Sequence, residues 1–237
     1  MTPSSANSEH DALLNTAAAR LNPSLTNPNF LVLRSRRIVF EKWIDQLPKR
    51  PLRILDIGGR YQPYRPLLEG RISQYVALDV LQTMLVDVVG SGECIPFAPD
   101  TFDLVIATQV FEYFSQPLVA ARQVHTVLKP GGSMMMSVAA FAPRFVDEEH
   151  WRFTPAGLRS ILSIFKNVEI VPETSSLGGL VRTLNLGMHT YTHFPLIRKG
   201  FELTMCPMLN LLGLGLERMK ITNSDQFTPN YSVLAQK

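Results

Sequence analysis

Over most of its length the chain sets short apolar runs against polar and glycine-rich turns. Arg53–Asp56, Gln74–Asp79, Met84–Val88, Phe102–Ala107, Ser133–Ala139, Val168–Val171 and Tyr231–Ala235 read as strands, apolar and bounded by turn residues. Between them the spacing turns helical. Leu118, Ala121, Val124 and Leu128 line one helix face, which Lys129-Pro130-Gly131-Gly132 stops. Thr154-Pro155 opens a helix that runs to Phe165, with Thr as N-cap and Pro in the first position. A shorter helix, Tyr64 to Glu69, stops at Gly70. Ahead of the first strand, residues 1–7 read as disordered, and Ser8 with Asp11 begins a helix that lasts to Asn22-Pro23. After the loop LNPSLTNPN, Phe30, Leu33, Phe40, Ile44 and Leu47 mark the apolar face of a second helix, ended by Pro48 to Pro51. Ser175–Met219 breaks the alternation: it is long, apolar and rich in Gly and Met, and Leu203–Leu216 carries no charge. Pro207, Gly213 and Gly215 would weaken a single straight helix there.

Strands alternating with helices predict an α/β fold whose mostly parallel sheet is covered on both faces. The chain divides into an N-terminal helical extension (1–50), an α/β core (51–174), an apolar insert (175–222) and a final core strand (223–237). At 237 residues, 46% hydrophobic and 18% charged, it can bury one sizeable core. A net charge of +3 does not call for nucleic acid, and Arg34, Arg36 and Arg37 read as a solvated helix face. The polar N-terminus has no apolar signal core, and Cys94 and Cys206 make neither a disulfide framework nor a metal motif, so the expected location is cytoplasmic with reduced thiols. No apolar run is long enough to cross a bilayer as a helix.

The candidate chemistry starts at RILDIGGRYQPY, Arg53 to Tyr64. A strand closing on Asp56, the turn Gly58-Gly59 and a helix begun at Pro63 would form a ligand crevice at the sheet's carboxyl edge, with free helix N–H groups for an anion. Asp79, 23 residues after Asp56 and at the end of the neighbouring strand, is placed to accept hydrogen bonds from a ribose diol; the plain alternative is a solvated strand-end acid. Gly58-Gly59-Arg60-Tyr61-Gln62 does not complete the G-x-G-x-x-G of dinucleotide enzymes.

The blocks ILDIGG, YVALD, GECIPFAPDTFDLVIATQVFEYF, VLKPGGSMMMSV and EEHWRFTPAGL, with the closing NYSVLAQK, resemble in order and spacing the class I S-adenosylmethionine (SAM)-dependent methyltransferases, especially the methyltransferase-11-like group. The resemblance covers about Leu52 to Phe165 and the last strand. It implies a Rossmann-like seven-stranded sheet with an antiparallel last strand, and SAM as cofactor. It puts Asp56, Gly58, Gly59 and Arg60 at the methionine half of SAM, Asp79 and Val80 at the ribose, Ser91, Gly92, Glu93 and Cys94 along the adenine, and Thr108 and Gln109 at the edge of methyl transfer. The family's usual glycines are replaced at Arg60 and Gln62, and its Glu-His pair is Glu112-Tyr113 here. Gln109 and Glu112 also read as ordinary caps of the following helix.

Methyl transfer asks the protein to align the acceptor, and a hydroxyl or amine acceptor also needs its proton handled. His150, beside Asp147, Glu148 and Glu149, is the candidate base, with Tyr113, Trp151 and Arg152 as candidate acceptor contacts; the alternative is that His150, Trp151 and Arg152 only order the loop before Thr154. His189 and His193 flank Tyr191 and could face a substrate, but no third metal ligand accompanies them, so no metal is expected. The expected partner is a small-molecule, glycan or lipid-precursor acceptor, not nucleic acid. The insert would cap the acceptor site; its apolar character fits an apolar acceptor, peripheral contact with a membrane, a homodimer interface or a plain hydrophobic subdomain. A non-catalytic protein that keeps the fold as a binding scaffold is the competing reading.

Overall fold

The computed structural model describes residues 3–144, 146–219 and 224–237. Seven strands form one sheet: β1 (Leu52–Ile57), β2 (Ile72–Asp79), β3 (Val88–Val89), β4 (Phe102–Thr108), β5 (Leu128–Ala139), β6 (Val168–Pro172) and β7 (Asn230–Gln236). Their order is β3-β2-β1-β4-β5-β7-β6. β1 to β5 run parallel, while β7 lies antiparallel between β5 and β6. The chain leaves β1 in one direction and β4 in the other, so the crevice expected at a switch point opens between their carboxyl ends.

One face of the sheet packs on α3 (Pro117–Val127) and α4 (Pro155–Ile161), around Phe102, Phe111, Val124, Leu158 and Leu162. Thr154 caps α4 as its sequence predicts, its hydroxyl accepting the Gly157 N–H at 3.2 Å. The other face is covered by α2 (Phe30–Gln46), whose Phe40, Trp43 and Ile44 pack with Tyr64, Leu68, Ile54 and Ile106. Arg36 is not on a solvated face. It is buried on α2 and forms a two-nitrogen ion pair with Glu173, Nε to Oε1 at 2.8 Å and Nη2 to Oε2 at 3.0 Å. Ser137, Asn230 and Ser232 donate to the same carboxylate. A polar knot so tied fixes α2 to β5, β6 and β7 beneath the crevice.

Several boundaries differ from the sequence reading. α1 spans Pro3–Leu21, so the helix begins ahead of Ser8 and takes in residues 3–7; residues 1 and 2 lie outside the described residues. The third strand is only Val88–Val89, because Thr83–Val86 forms a turn, with the Val86 N–H on the Thr83 carbonyl. β5 begins at Leu128, before the glycines that stop α3, and α4 ends at Ile161. The insert holds three helices, α5 (Ser176–Tyr191), α6 (Pro195–Leu203) and α7 (Met205–Met219); its expected end at residue 222, and residue 223, lie outside the described residues. α7 runs through Gly213 and Gly215, and Pro207 sits in its first turn, where a missing N–H costs little. Gly213 is a close approach: a Cβ there would lie 2.5 Å from Leu31 Cδ1 on α2.

The insert and the N-terminal extension are bound to each other. Asn210 Nδ2 donates to the carbonyls of Leu25 (2.8 Å) and Asn27 (2.9 Å), the Cys206 thiol to Thr26, and Arg182 Nη2 to Asn29 Oδ1 at 2.6 Å. Phe194, Leu196 and Ile197 stand exposed on the outer side. Among the described residues no helix is long and apolar enough to cross a membrane.

Candidate active site

β1 delivers Asp56 and Gly58 to the carboxyl edge. Gly58 adopts φ +75°, a left-handed conformation that only glycine takes without cost, and the Val110 side chain closes over it from the β4 side. The expected helix after this turn is instead a single 3₁₀ turn, Arg65–Leu68. Pro63 and Pro66 interrupt the segment, and the N–H groups of Gly58 and Gly59 both donate to the Leu78 carbonyl, at 2.8 and 3.2 Å. The turn is therefore spliced into β2 and offers no helix N-terminus to an anion. Gln62, at φ +50°, holds the loop by donating to Leu85 O and accepting from Arg65. Arg60 carries no ion pair among the described residues; its guanidinium lies 5.3 Å from the Tyr61 ring centre, whose other neighbour is Arg20 at 4.4 Å.

The two strand-end acids have different surroundings. Asp56 is buried and accepts the Tyr75 hydroxyl at 2.6 Å; burial, helped by the charge of Asp79, pushes its carboxyl up to about 7 against that hydrogen bond. Asp79 uses one oxygen to accept the Leu81 N–H at 2.9 Å, and its other oxygen has no partner among the described residues. Val80 and Leu81 beside it are 66% and 54% exposed, an uncovered apolar ledge next to an acid. Across from it, Glu93 does not turn to the crevice: its carboxylate accepts the Gln116 N–H at 2.7 Å and the Ser115 hydroxyl at 3.1 Å, capping α3. Ser91 Oγ accepts the Glu93 N–H, the Cys94 N–H closes the turn on Ser91 O, and the Cys94 side chain is exposed. Gly92 packs against Phe114 and Ile57.

On the β4 side, Thr108 ends the strand and Gln109 takes φ +52°, held by its N–H on Ser137 O (2.8 Å) and its Nε2 on Ser137 Oγ (3.1 Å). A residue whose backbone is kept in this sparsely populated region by two hydrogen bonds marks a position the fold constrains closely. Beyond Gln109 lies a pocket of about 100 Å³, lined among others by Glu112, Tyr113, Arg152, Arg182 and Asn230. Glu112 is buried; Oε1 accepts the Ala139 N–H, and burial pushes its carboxyl up to about 7. The Tyr113 hydroxyl bonds Glu149, which also pairs with Arg152.

The loop that carries the remaining candidates is folded onto this pocket by its backbone. The N–H groups of His150 and Trp151 donate to Glu112 O at 2.8 and 3.3 Å, and Trp151 Nε1 donates to Phe114 O at 2.7 Å. Arg152 Nε and Nη2 hold the carbonyls of Ala142 and Pro143. Tyr113 and Arg152 thus line the pocket, Trp151 staples the loop beside it, and the His150 side chain is exposed outside its lining. His189 faces Glu202, 2.7 Å from its carboxylate, and His193 is exposed. Arg182 and Asn230, absent from the sequence reading, reach the site from α5 and β7; the one available signal was that Arg182 is the lone charge in the apolar run Leu177–Met188.

Residues 55–136 match the family model described as a methyltransferase domain. Malonyl-[acyl-carrier protein] O-methyltransferase 1 of Coxiella burnetii is 29% identical over 117 residues, 46% of this chain and 41% of that protein. The chain thus spans less than half the length of the curated relatives it matches. A SAM-dependent methyltransferase from Archaeoglobus fulgidus superposes with a TM-score of 0.55 at 14% identity, covering 85% of this chain and 94% of that one. The [4+2]-cyclase SpnF superposes with a TM-score of 0.53 at 17% identity, over 84% and 80%. SAM is the cofactor this methyltransferase domain implies, and the crevice fits it: Asp79 keeps one oxygen unbonded among the described residues for a diol, and the exposed apolar ledge of Val80 and Leu81 offers a flat group somewhere to lie. Residues 55–136 thus carry a methyltransferase domain, set in a seven-stranded sheet with an inserted antiparallel β7, the fold of the SAM-dependent methyltransferase on which the chain superposes.

Proposed function

We propose that the chain transfers a methyl group from SAM to a small-molecule acceptor held between the β4 edge and the insert. The observation that carries this reading is the adjoining pair of sites at the carboxyl edge: the Asp79 ledge on one side of Gly58, and the Gln109–Glu112 pocket on the other. Bound SAM supplies an electrophilic methyl on a sulfonium. Asp79 holds the ribose diol, and Arg60, which has no ion pair among the described residues, meets the carboxylate of the methionine half. Gln109 and the loop 146–152 hold the acceptor in line and shield it from water, which is the protein's main contribution to such a displacement. Arg182 brings α5 over the same pocket, supporting the insert as the acceptor-site cap. The Coxiella relative is named for O-methylation, which favours an oxygen acceptor here.

Calorimetric titration with SAM and S-adenosylhomocysteine tests the reading. Micromolar binding is expected, weakened at least about tenfold in Asp79→Ala, since a hydrogen bond to a charged group is worth about 1.5–3 kcal/mol. No binding to folded, ligand-free protein would favour the scaffold reading, which the occupied N–H groups of Gly58 and Gly59 support. A large loss of turnover in His150→Ala would point to an acceptor that must give up a proton; the exposed ring would then have to turn inward.

A further inference from the structure

We propose that the pocket beyond Gln109 binds a carboxylate of the acceptor, held between Arg182 and Glu112. The inference rests on the methyltransferase reading only for the word acceptor; the anion site stands on the pocket itself. Arg182 is 4% exposed and uses Nη2 on Asn29, while Nε and Nη1 are buried without a hydrogen-bond partner among the described residues. Glu112 is 2% exposed, and its Oε2 is likewise buried with no hydrogen-bond partner among the described residues. Both residues line the same pocket and are not bonded to each other. Leaving such groups unsatisfied is costly, and more so when they are charged, so the arrangement calls for an occupant.

The charge balance selects its sign. Glu173 is taken by Arg36, and Glu149 by Arg152 and Tyr113. Among the described residues around the pocket, Arg182 is the cation without a counter-charge. Burial lowers its pKa to about 10, which still leaves it charged at neutral pH. Water would satisfy its donors but not its charge. Glu112, with its raised pKa, can donate a proton to the second oxygen of an anion. The volume of about 100 Å³ is the liquid share of about three waters, enough for a carboxylate and its first carbons. A phosphate dianion would meet the carboxyl groups of Glu112 and Glu149 with double the charge. The lining residues include no histidine, and a carboxylate, unlike a hydroxyl, needs no base to become a nucleophile.

The test is a titration of the full chain with propionate, propionamide and inorganic phosphate, with and without S-adenosylhomocysteine, followed by the Arg182 Nε–H resonance. Propionate is expected to bind and shift that resonance, and propionamide not to. Arg182→Gln should weaken propionate at least about tenfold. Groups facing Glu112 are Arg36 from α2, Arg182 from α5, its neighbour Tyr113, and Glu149 and Arg152 from the loop. Affinity should fall about tenfold from pH 6 to pH 8 as Glu112 ionises, and the slope should flatten in Glu112→Gln. Equal binding of propionamide, tighter binding of phosphate, or no propionate binding would each overturn the proposal, with no variant required. Failure of S-adenosylhomocysteine to bind would instead strike the methyltransferase reading, while the propionate arm still decides the anion site.

Discussion

Asp56 and Glu112 are carboxyls that the fold makes easier to protonate, from ordinary values of 3.8 and 4.5 to about 7 in each case. The sign follows from linkage. A group whose folded pKa is raised gives its full stabilisation below the unfolded pKa and loses it as pH rises through the folded one. Unfolding free energy, measured by urea titration at fixed pH, should therefore fall between about pH 5 and pH 7, by on the order of 3 kcal/mol per group. Glu112→Gln and Asp56→Asn should each flatten that slope; a stability that does not rise on acidification from pH 7 to pH 5 would contradict the burial of both. Asp56 can be found near the end of a strand, and Glu112 in the turn after β4, by reading the sequence. Which of them is buried cannot, because Tyr75 and the Ala139 N–H come to them only through the sheet.

Between elements, the Arg36–Glu173 pair joins α2 to the far side of the sheet across 137 positions of chain. Glu173→Gln should destabilise the protein by about 3–5 kcal/mol in thermal or urea unfolding, because it strands a buried guanidinium. A double change, Arg36→Met with Glu173→Leu, should recover much of that loss. At the α2–α7 crossing, Gly213→Val would push into Leu31 and should cost about 1–3 kcal/mol by overpacking. The apolar face of α2 was legible from its spacing. Arg36 was not, since helical periodicity reports which side is apolar and not which charge finds a buried partner.

Across the whole molecule, the extension and the insert, 1–50 and 175–219, are remote in sequence yet share the hydrogen bonds of Asn210, Cys206 and Arg182 to residues 25–29. Removing residues 1–28 should speed amide exchange in α5 and α7 while β1, β4 and β5 keep their protection; unchanged exchange in α5 and α7 would show that the insert stands alone. If Arg182 holds the acceptor, the same truncation should also weaken acceptor binding, since Asn29 orients its guanidinium from the edge of the deleted segment.

The sequence by itself located six of the seven strands, because each carries its own apolar run and its own stop; the third it set on the turn before Val88–Val89, and the antiparallel return of the last followed only from the family resemblance. It determined the crevice at Asp56 and Gly58 and the acid at Asp79, because local turn chemistry and strand ends fix where such residues emerge. The tertiary structure decided the rest. Two prolines and the splice onto Leu78 replaced a helix by a single turn. Glu93 was drawn away to cap α3, and the His150 side chain was left outside the pocket. Arg182, Asn230 and Glu112 met there only because the sheet's order and a helix from a distant insert brought them together, and no periodicity along a chain encodes a contact of that kind.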